Sequence, residues 1–349
     1  TYIMNDGLHS AEFSGYSDSG SYNLNALLSG TIYGGAPNNK VIAFAGEEAT
    51  GKSFFVICLV KAFLDANPEA GVFYYDTESA VTKTMMAERG VDVNRVIIVE
   101  KSTIEEFRTH AVRVLDNYLD QDKKTRPKMM MVLDSLGMLS TTKETRDIAE
   151  DNRNKQGDQT KDMTRAGLIR AAFRVLRLRM SKADVPMLVT NHTYANVGGT
   201  GYEKEMSGGS GLKYAAVLII YLSKKKEKVG DDVIGNIIHC KNKKNRLAKE
   251  NMQIDVRLSY DKGLERYYGL IDLAVKYGLF KEVSTKIELP DGRKIFKKTI
   301  NNNPESYYTK EILDKLDEFA KLEFSYGAGK YAEESEDEAT SGAEEGETV

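Results

Sequence analysis

Cysteine is nearly absent: the chain has only Cys58 and Cys240 among 349 residues. Two distant cysteines exclude a disulfide framework and a cysteine-based zinc site, which points to a reducing, cytosolic compartment. No run of 18 apolar residues occurs, so no membrane-spanning helix is expected, and no signal peptide is evident. The stretch Ala332 to Val349, AEESEDEATSGAEEGETV, holds eight acids and no base. It hides the character of the rest. The net charge is -3, so residues 1 to 331 carry -3 + 8 = +5. A mildly basic body beside an acidic, disordered tail (residues 332–349) suggests a polyanionic partner with which the tail competes. Hydrophobic residues make up 41%, enough for a packed core in one large or two modest domains.

Along the chain, short apolar runs alternate with helical patterns. VIAFAG (41–46), GVFYYDTE (71–78), RVIIVE (95–100), KMMMVLDS (128–135) and VPMLVT (185–190) read as strands. Helices are expected over 53–66, 81–90, 103–119 and 163–183. Strands apolar on both faces, alternating with helices, predict an α/β fold: a mostly parallel twisted sheet with helices on both sides. From 215 to 260 the pattern changes to strands joined by short loops, an antiparallel extension of the sheet. A small C-terminal α+β unit follows, with a helix at YYGLIDLAVKYGLF, a hairpin at LPDGRK and a helix at ESYYTKEILDKLDEFAKL. The expected organisation is an N-terminal segment (1–36) without a convincing helix, a core (37–262), the small domain (263–331) and the acidic tail.

GEEATGKS, Gly46 to Ser53, fits G-x-x-x-x-G-K-[ST] between an expected strand and an expected helix. Backbone N–H groups must wrap a polyphosphate, and glycine allows that close approach. The cofactor-binding stretch is therefore Gly46, Glu47, Glu48, Ala49, Thr50, Gly51, Lys52, Ser53 and Phe54. Lys52 reaches the β- and γ-phosphates of ATP, and Ser53 offers a hydroxyl to Mg²⁺. Asp134, at the carboxyl end of an apolar strand, is the expected Mg²⁺ acid. Glu78, ending GVFYYDTE, is the expected base for an attacking water, with Asp76 on the same strand face as the alternative.

NHTYANVGGTGYEKEMSGGSG (191–211) places about twenty polar residues between two core strands, a connection too long to be only a turn. Asn191 and His192 open it, Tyr194 and Tyr202 offer rings for base stacking, and Lys204 offers charge. A second irregular stretch, 140–162, carries Lys143, Arg146, Arg153, Lys155 and Lys161 among several acids. Beyond it Arg165 and the stripe Arg170, Arg174 and Arg177 are candidate phosphate contacts. The cluster SKKKEK (223–228) reads as a solvated hairpin end.

The order GEEATGKS, YYDTE, VLDSLGMLS, VTNHTY, GGSGLKYAA resembles the RecA-type recombinases, most of all their phage UvsX-like branch, from about Leu28 to Leu273. The resemblance implies an ATP-dependent, Mg²⁺-requiring filament on single-stranded DNA that pairs that strand with homologous duplex. Such proteins serve recombination, repair and recombination-dependent replication. It implies Lys52 and Glu78 as catalytic, Ser53 and Asp134 as metal-site residues, and Asn191 with His192 as γ-phosphate sensors, where RecA itself has Gln at the His192 position. The two irregular stretches become the first and second DNA-binding loops. Where many relatives hold an aromatic over adenine, this chain has Met85, so Tyr267 or Tyr268 is expected to contribute. KNKKNRLAKE (241–250) resembles the segment whose cations reach the neighbouring subunit's ATP; two registers fit, Lys241 with Lys243 or Lys244 with Arg246, the second favoured. Lys213 and Tyr214 match interface positions. The polymerisation arm of filament-forming relatives is expected to be missing or trimmed here. The implied partners are single-stranded and duplex DNA, further copies of the chain, a single-strand-binding protein and a loading mediator, in the cytosol of a phage-infected bacterium. A ring helicase of the same fold and a non-catalytic recombination mediator are the competing readings. The short stretch before the phosphate loop argues against the first, and the intact Lys52, Ser53, Asp134 and Glu78 against the second.

Overall fold

In the computed structural model the chain is described over residues 15–149, 158–195, 204–206, 210–229, 231–259 and 263–327. Strand β1 (Tyr16–Ser17) pairs with β2 (Ala36–Pro37) around helix α1 (Tyr22–Ser29). All eight residues of α1 are buried, and Ser21 caps it by accepting from the Leu24 amide. The sequence pattern missed this helix because its apolar residues do not form a stripe; it is surrounded. Residues 1–14, part of the N-terminal segment in which the polymerisation arm is expected to be missing or trimmed, lie outside the described residues.

The main sheet begins with β3 (Val41–Gly46), followed by α2 (Lys52–Ala66), β4 (Gly71–Asp76), α3 (Lys83–Glu88), β5 (Val96–Val99), α4 (Ile104–Leu119) and β6 (Met129–Asp134). Helices α5 (Thr142–Ala149) and α6 (Asp158–Ala183) lead to β7 (Met187–Ala195), β8 (Lys204–Met206) and α7 (Ser210–Ala215). Strands β9 (Leu218–Val229), β10 (Asp232–Asn245), β11 (Gln253–Ser259) and β12 (Gly263–Leu264) complete it. The order is β12-β11-β10-β9-β3-β7-β6-β4-β5, with β8 paired to β7. The strands from β9 through β3, β7, β6 and β4 to β5 pair in parallel, and β9 to β12 extend the sheet antiparallel, as expected.

Alternation along β3 feeds two cores. Ile42 and Phe44 enter the layer with α1 and α2, whereas Val41, Ala43 and Ala45 face the layer with α4 and α6. Helix α4 shows why such a segment forms: Thr103 caps it, and Ile104, Phe107, Ala111 and Leu115 recur every three or four residues on its buried face.

The C-terminal unit contains α8 (Leu270–Lys276), a three-stranded sheet of β13 (Lys281–Val283), β14 (Lys286–Glu288) and β15 (Lys294–Phe296), then α9 (Lys297–Asn302) and α10 (Lys310–Phe324). Its apolar residues join the α1–α2 layer. Asp317 of α10 is buried and accepts from the Ile32 amide at 2.8 Å and from the Thr31 hydroxyl. Lys249 donates to the Leu322 and Glu323 carbonyls at 2.8 and 3.0 Å, closing the other end of that helix.

Two expectations change. The stretch 140–162 is helical over Thr142–Ala149 and again from Asp158, because Thr141 supplies an N-terminal cap through the Glu144 amide. The polar segment after VPMLVT is strand through Ala195, and Lys204–Met206 folds back on it, pairing Thr193 with Met206 and Tyr194 with Glu205. As expected, the lysines of SKKKEK are exposed and lie on the end of β9 that turns into β10, where Lys228 pairs with Val233.

Candidate functional site

Three parallel strands, β3, β6 and β4, deliver their carboxyl ends to one edge of the sheet, where α2 begins. The phosphate loop runs from Gly46 into Lys52, the first residue of α2. A Cβ on Gly46 would sit 2.8 Å from both the Leu222 carbonyl oxygen and the Thr50 hydroxyl, so no larger residue fits. Gly51 takes φ 86°, the left-handed region that turns the loop into the helix. Lys52 is buried, and its ammonium donates to the Gly46 and Glu47 carbonyls at 3.1 and 2.8 Å. Burial lowers its pKa, against the opposing pull of Glu78, Asp134 and Glu48. Those carboxylates mark the charge environment into which the cation points.

Asp134 ends β6, buried, and accepts from the Tyr74 hydroxyl at 2.7 Å and from the Thr190 hydroxyl. Burial and the adjacent Asp134 hold the Tyr74 phenol far up, so it stays a donor. Strand β4 stops at Asp76, two residues earlier than expected, and Glu78 lies in the loop beyond. Asp76 is not disposed as a base: its carboxylate takes the amides of Glu78, Ala80 and Val81 at 3.2, 3.4 and 2.9 Å. It builds the loop that presents Glu78.

A clamp fixes that loop against β6. The Thr77 amide donates to the Asp134 carbonyl at 2.9 Å, the Thr77 hydroxyl donates to the Ser135 carbonyl, and the Ser135 amide donates back to that hydroxyl, both at 2.8 Å. Glu78 Oε1 then accepts from the Ser135 hydroxyl at 2.7 Å and lies 3.2 Å from His192 Nε2. Burial pushes the Glu78 carboxyl up, but Ser135, His192 and Lys52 together outweigh it and hold the group below its ordinary value. Ser135 was not singled out from sequence; a hydroxyl directly after a strand-end acid is the signal that marks it. Asn191 is fully buried, and its side-chain oxygen accepts from the His192 amide at 3.0 Å. Strand β7 thus runs from the Glu78 contact at His192 straight into the β7–β8 hairpin.

The cationic candidates divide. Lys143 and Arg146 are exposed on α5, and Arg170, Arg174 and Arg177 are exposed along α6. Arg165 is otherwise engaged: its guanidinium donates to the Leu139 and Gly137 carbonyls at 3.1 and 2.5 Å, which makes it a cap on the turn after β6. Tyr194 is 61% exposed. Tyr202, Arg153 and Lys155 lie outside the described residues, as do the side chains of Lys161 and Lys204. Tyr214 is 66% exposed on α7, and Lys213 reaches to 4.0 Å from Glu205.

Of the KNKKNRLAKE cations, Lys244 donates to the Lys213 carbonyl at 2.5 Å within the chain, and burial followed by Arg246 lowers its pKa. A bulge between Asn242 and Lys244 leaves Lys243 exposed, its ammonium 5.8 Å from the centre of the Tyr221 ring. Arg246 is exposed. Tyr267 stacks on Tyr308 at 5.4 Å and meets Tyr22 edge-on at 5.3 Å; the described contacts do not bring it to the phosphate loop. Among the described residues no helix is long and apolar enough to cross a membrane.

Comparison with known proteins agrees with this architecture. The RecA N-terminal domain family matches residues 3–265. The chain is 30% identical over 256 residues to the recombination and repair protein of Enterobacteria phage T4, a match covering 73% of this chain and 62% of that protein. It is 24% identical over 323 residues to protein RecA of Malacoplasma penetrans, covering 88% and 90% of the two chains, and 25% identical over 323 residues to protein RecA of Porphyromonas gingivalis, covering 90% and 88%. The chain spans less than two thirds of the phage relative's length. With a family match over three quarters of its residues and the parallel sheet, phosphate loop and strand-end carboxylates in place, the chain belongs to the RecA family.

Proposed function

We propose that the chain is a DNA-dependent ATPase that assembles on single-stranded DNA and drives strand exchange with a homologous duplex. The observation that carries this reading is the convergence of Lys52, Asp134, Glu78 and His192 at one edge of the sheet, with His192 continuous with the β7–β8 hairpin. The fit to a nucleoside triphosphate rests on the phosphate loop, where only glycine is admitted at Gly46 and a buried cation sits beside the loop carbonyls. When bound, Mg²⁺ would be held by Ser53 and Asp134 and would neutralise charge on the β- and γ-phosphate oxygens. Lys52 moves from the loop carbonyls to those oxygens. Glu78, whose carboxylate accepts from the Ser135 hydroxyl and lies beside His192, orients a water and accepts its proton at a carboxylate oxygen.

His192 and Asn191 sense the γ-phosphate and transmit it along β7. Tyr194, with Tyr202 and Lys204 beyond it, then stacks bases and meets phosphates. Lys143, Arg146, Lys161, Arg170 and Arg174 supply further phosphate contacts. Lys213 and Tyr214 face the next subunit, whose ATP receives cations from the 241–250 segment, either Lys244 with Arg246 or Lys241 with Lys243. The units are a core over 37–262, a small domain over 263–331 and an acidic tail from 332, with action in the cytosol of an infected bacterium beside a single-strand-binding protein and a loader.

A strand-exchange assay with a 3′-tailed duplex tests the reading. A recombinase needs homology and loses activity with Lys52→Ala; unwinding without homology indicates a helicase, and neither activity indicates a mediator. Electron microscopy with single-stranded DNA and ATP gives the second readout: helical filaments are expected, and rings overturn the proposal.

A further inference from the structure

Two hydroxyls are buried in strands where apolar residues of the same shape would pack as well. Tyr74 of β4 and Thr190 of β7 have no exposure, like Val72, Leu188 and Val189 of the same strands. Phenylalanine and valine would fill that space without a polar atom, and a buried hydroxyl costs free energy unless it is hydrogen-bonded. Both hydroxyls go to one carboxylate. Tyr74 donates to Asp134 Oδ2 at 2.7 Å, and Thr190 donates to Asp134 Oδ1. Strand register arranges the meeting. Asp76 lies beside Asp134 across β4 and β6, so Tyr74, two residues back on the same strand face, reaches Asp134 from one side. Leu133 lies beside Val189 across β6 and β7, so Thr190 comes next to Asp134 on the other side.

A single donor would leave the carboxylate free to turn about its Cβ–Cγ bond. One donor on each oxygen fixes its plane, and each oxygen keeps a further lone pair. Among the described residues the Asp134 carboxylate bonds only to these neutral hydroxyls, while the Lys52 ammonium donates to the loop carbonyls. A buried carboxylate without a paired cation is costly, so the site fits a hard cation or its water shell. We infer that Tyr74 and Thr190 are positioning residues for the divalent cation: together they hold the Asp134 carboxylate so that its remaining lone pairs meet the water shell of the ion. The inference rests on the reading of Asp134 as the Mg²⁺ acid and adds which residues set the affinity for the ion. Both side chains are fully buried, so their effect reaches the ion through Asp134.

Equilibrium ATP binding titrated with Mg²⁺, and measured again in EDTA, tests this without turnover. In the wild type Mg²⁺ should tighten ATP binding. Tyr74→Phe and Thr190→Val keep the shape of the core; each should raise the half-saturating Mg²⁺ about tenfold and leave ATP affinity in EDTA within about twofold of wild type. Thr190→Ser keeps the hydroxyl and should bring the Mg²⁺ midpoint back to within about twofold of wild type, whereas a packing defect would make the smaller serine the worse variant. Midpoints within about twofold of wild type in both Tyr74→Phe and Thr190→Val, equal losses with and without Mg²⁺, or a serine variant no better than the valine one overturns the positioning role alone. A wild type whose ATP affinity ignores Mg²⁺ removes the assignment of Asp134 as the metal acid and this inference with it. A wild type that does not bind ATP removes the phosphate-loop reading as well.

Discussion

Glu78→Gln isolates one proton. The glutamate oxygen that accepts from Ser135 at 2.7 Å and meets His192 at 3.2 Å is replaced by an amide oxygen that can accept from the same groups. The loop that carries it is built by Asp76 and Thr77 and does not depend on the Glu78 side chain. Position and packing are therefore retained, and only the proton acceptor is lost. General-base catalysis contributes about 10²–10⁴-fold, so turnover should fall by that factor, about 2.7–5.4 kcal/mol of barrier. Equilibrium ATP binding should change little, because Lys52 and the loop amides do not touch the substituted group. The assay is steady-state ATP hydrolysis with saturating single-stranded DNA, paired with nucleotide binding. Turnover within about threefold of wild type, or a parallel loss of binding, would refute the assignment. The pH profile extends the test. The folded pKa of Glu78 lies below its unfolded value, so its stabilising effect is present above the unfolded pKa and lost as pH falls through the folded one. From about pH 5 to pH 8 no acid limb of kcat/KM should come from Glu78. Ser135→Ala removes the nearest donor, so an acid limb should move to higher pH.

Arg165→Ala should cost about 1.5–3 kcal/mol of stability, read by denaturant unfolding, because two turn carbonyls lose a charged donor. Arg170→Ala and Arg174→Ala should instead leave the unfolding midpoint in place, weaken single-strand binding and reduce its salt slope by about 0.7 per contact; a shifted midpoint with an unchanged slope would reverse the assignments. Asp317→Ala should cost about 1–3 kcal/mol, since the Ile32 amide is left buried without its acceptor, and an unchanged midpoint would count against that latch. Removing residues 332–349 should tighten duplex DNA binding most at low Mg²⁺, and equal affinities at low and high Mg²⁺ would leave the tail as a solubility device.

Reading from residues worked where burial is two-sided and failed where polar chemistry decides. VIAFAG is β3 to the residue, because a strand buried on both faces has no other pattern. The phosphate loop and Asp134 were legible for the same reason: glycine spacing and a strand-end acid are written locally. Helix α1 was not, since a helix buried all round shows no period. Arg165 looked like its neighbours Arg170 and Arg174 on the helix, and only the turn beneath it, 26 residues earlier in the chain, makes it a cap. Asp76 and Glu78 have the same chemistry at a spacing of two, and the amides around Asp76 alone separate a loop builder from a base. The Ser135 clamp depends on β4 and β6 being neighbours, which periodicity cannot reveal.

The bond from Thr31 to Asp317 spans 286 residues and has a consequence for the chain as it is made. At about 5–20 residues per second, a ribosome needs roughly 15–60 s to travel from one partner to the other. Leu24, Leu27 and Leu28, each with no exposure in the finished fold, lack the strands β10 and β11 that α1 packs on for most of that interval, and α10 for all of it. Domain-by-domain folding from the N-terminus is therefore unavailable to this half of the core. The nascent chain carries an apolar segment that must be shielded, by a chaperone or by loose collapse, until synthesis is almost over.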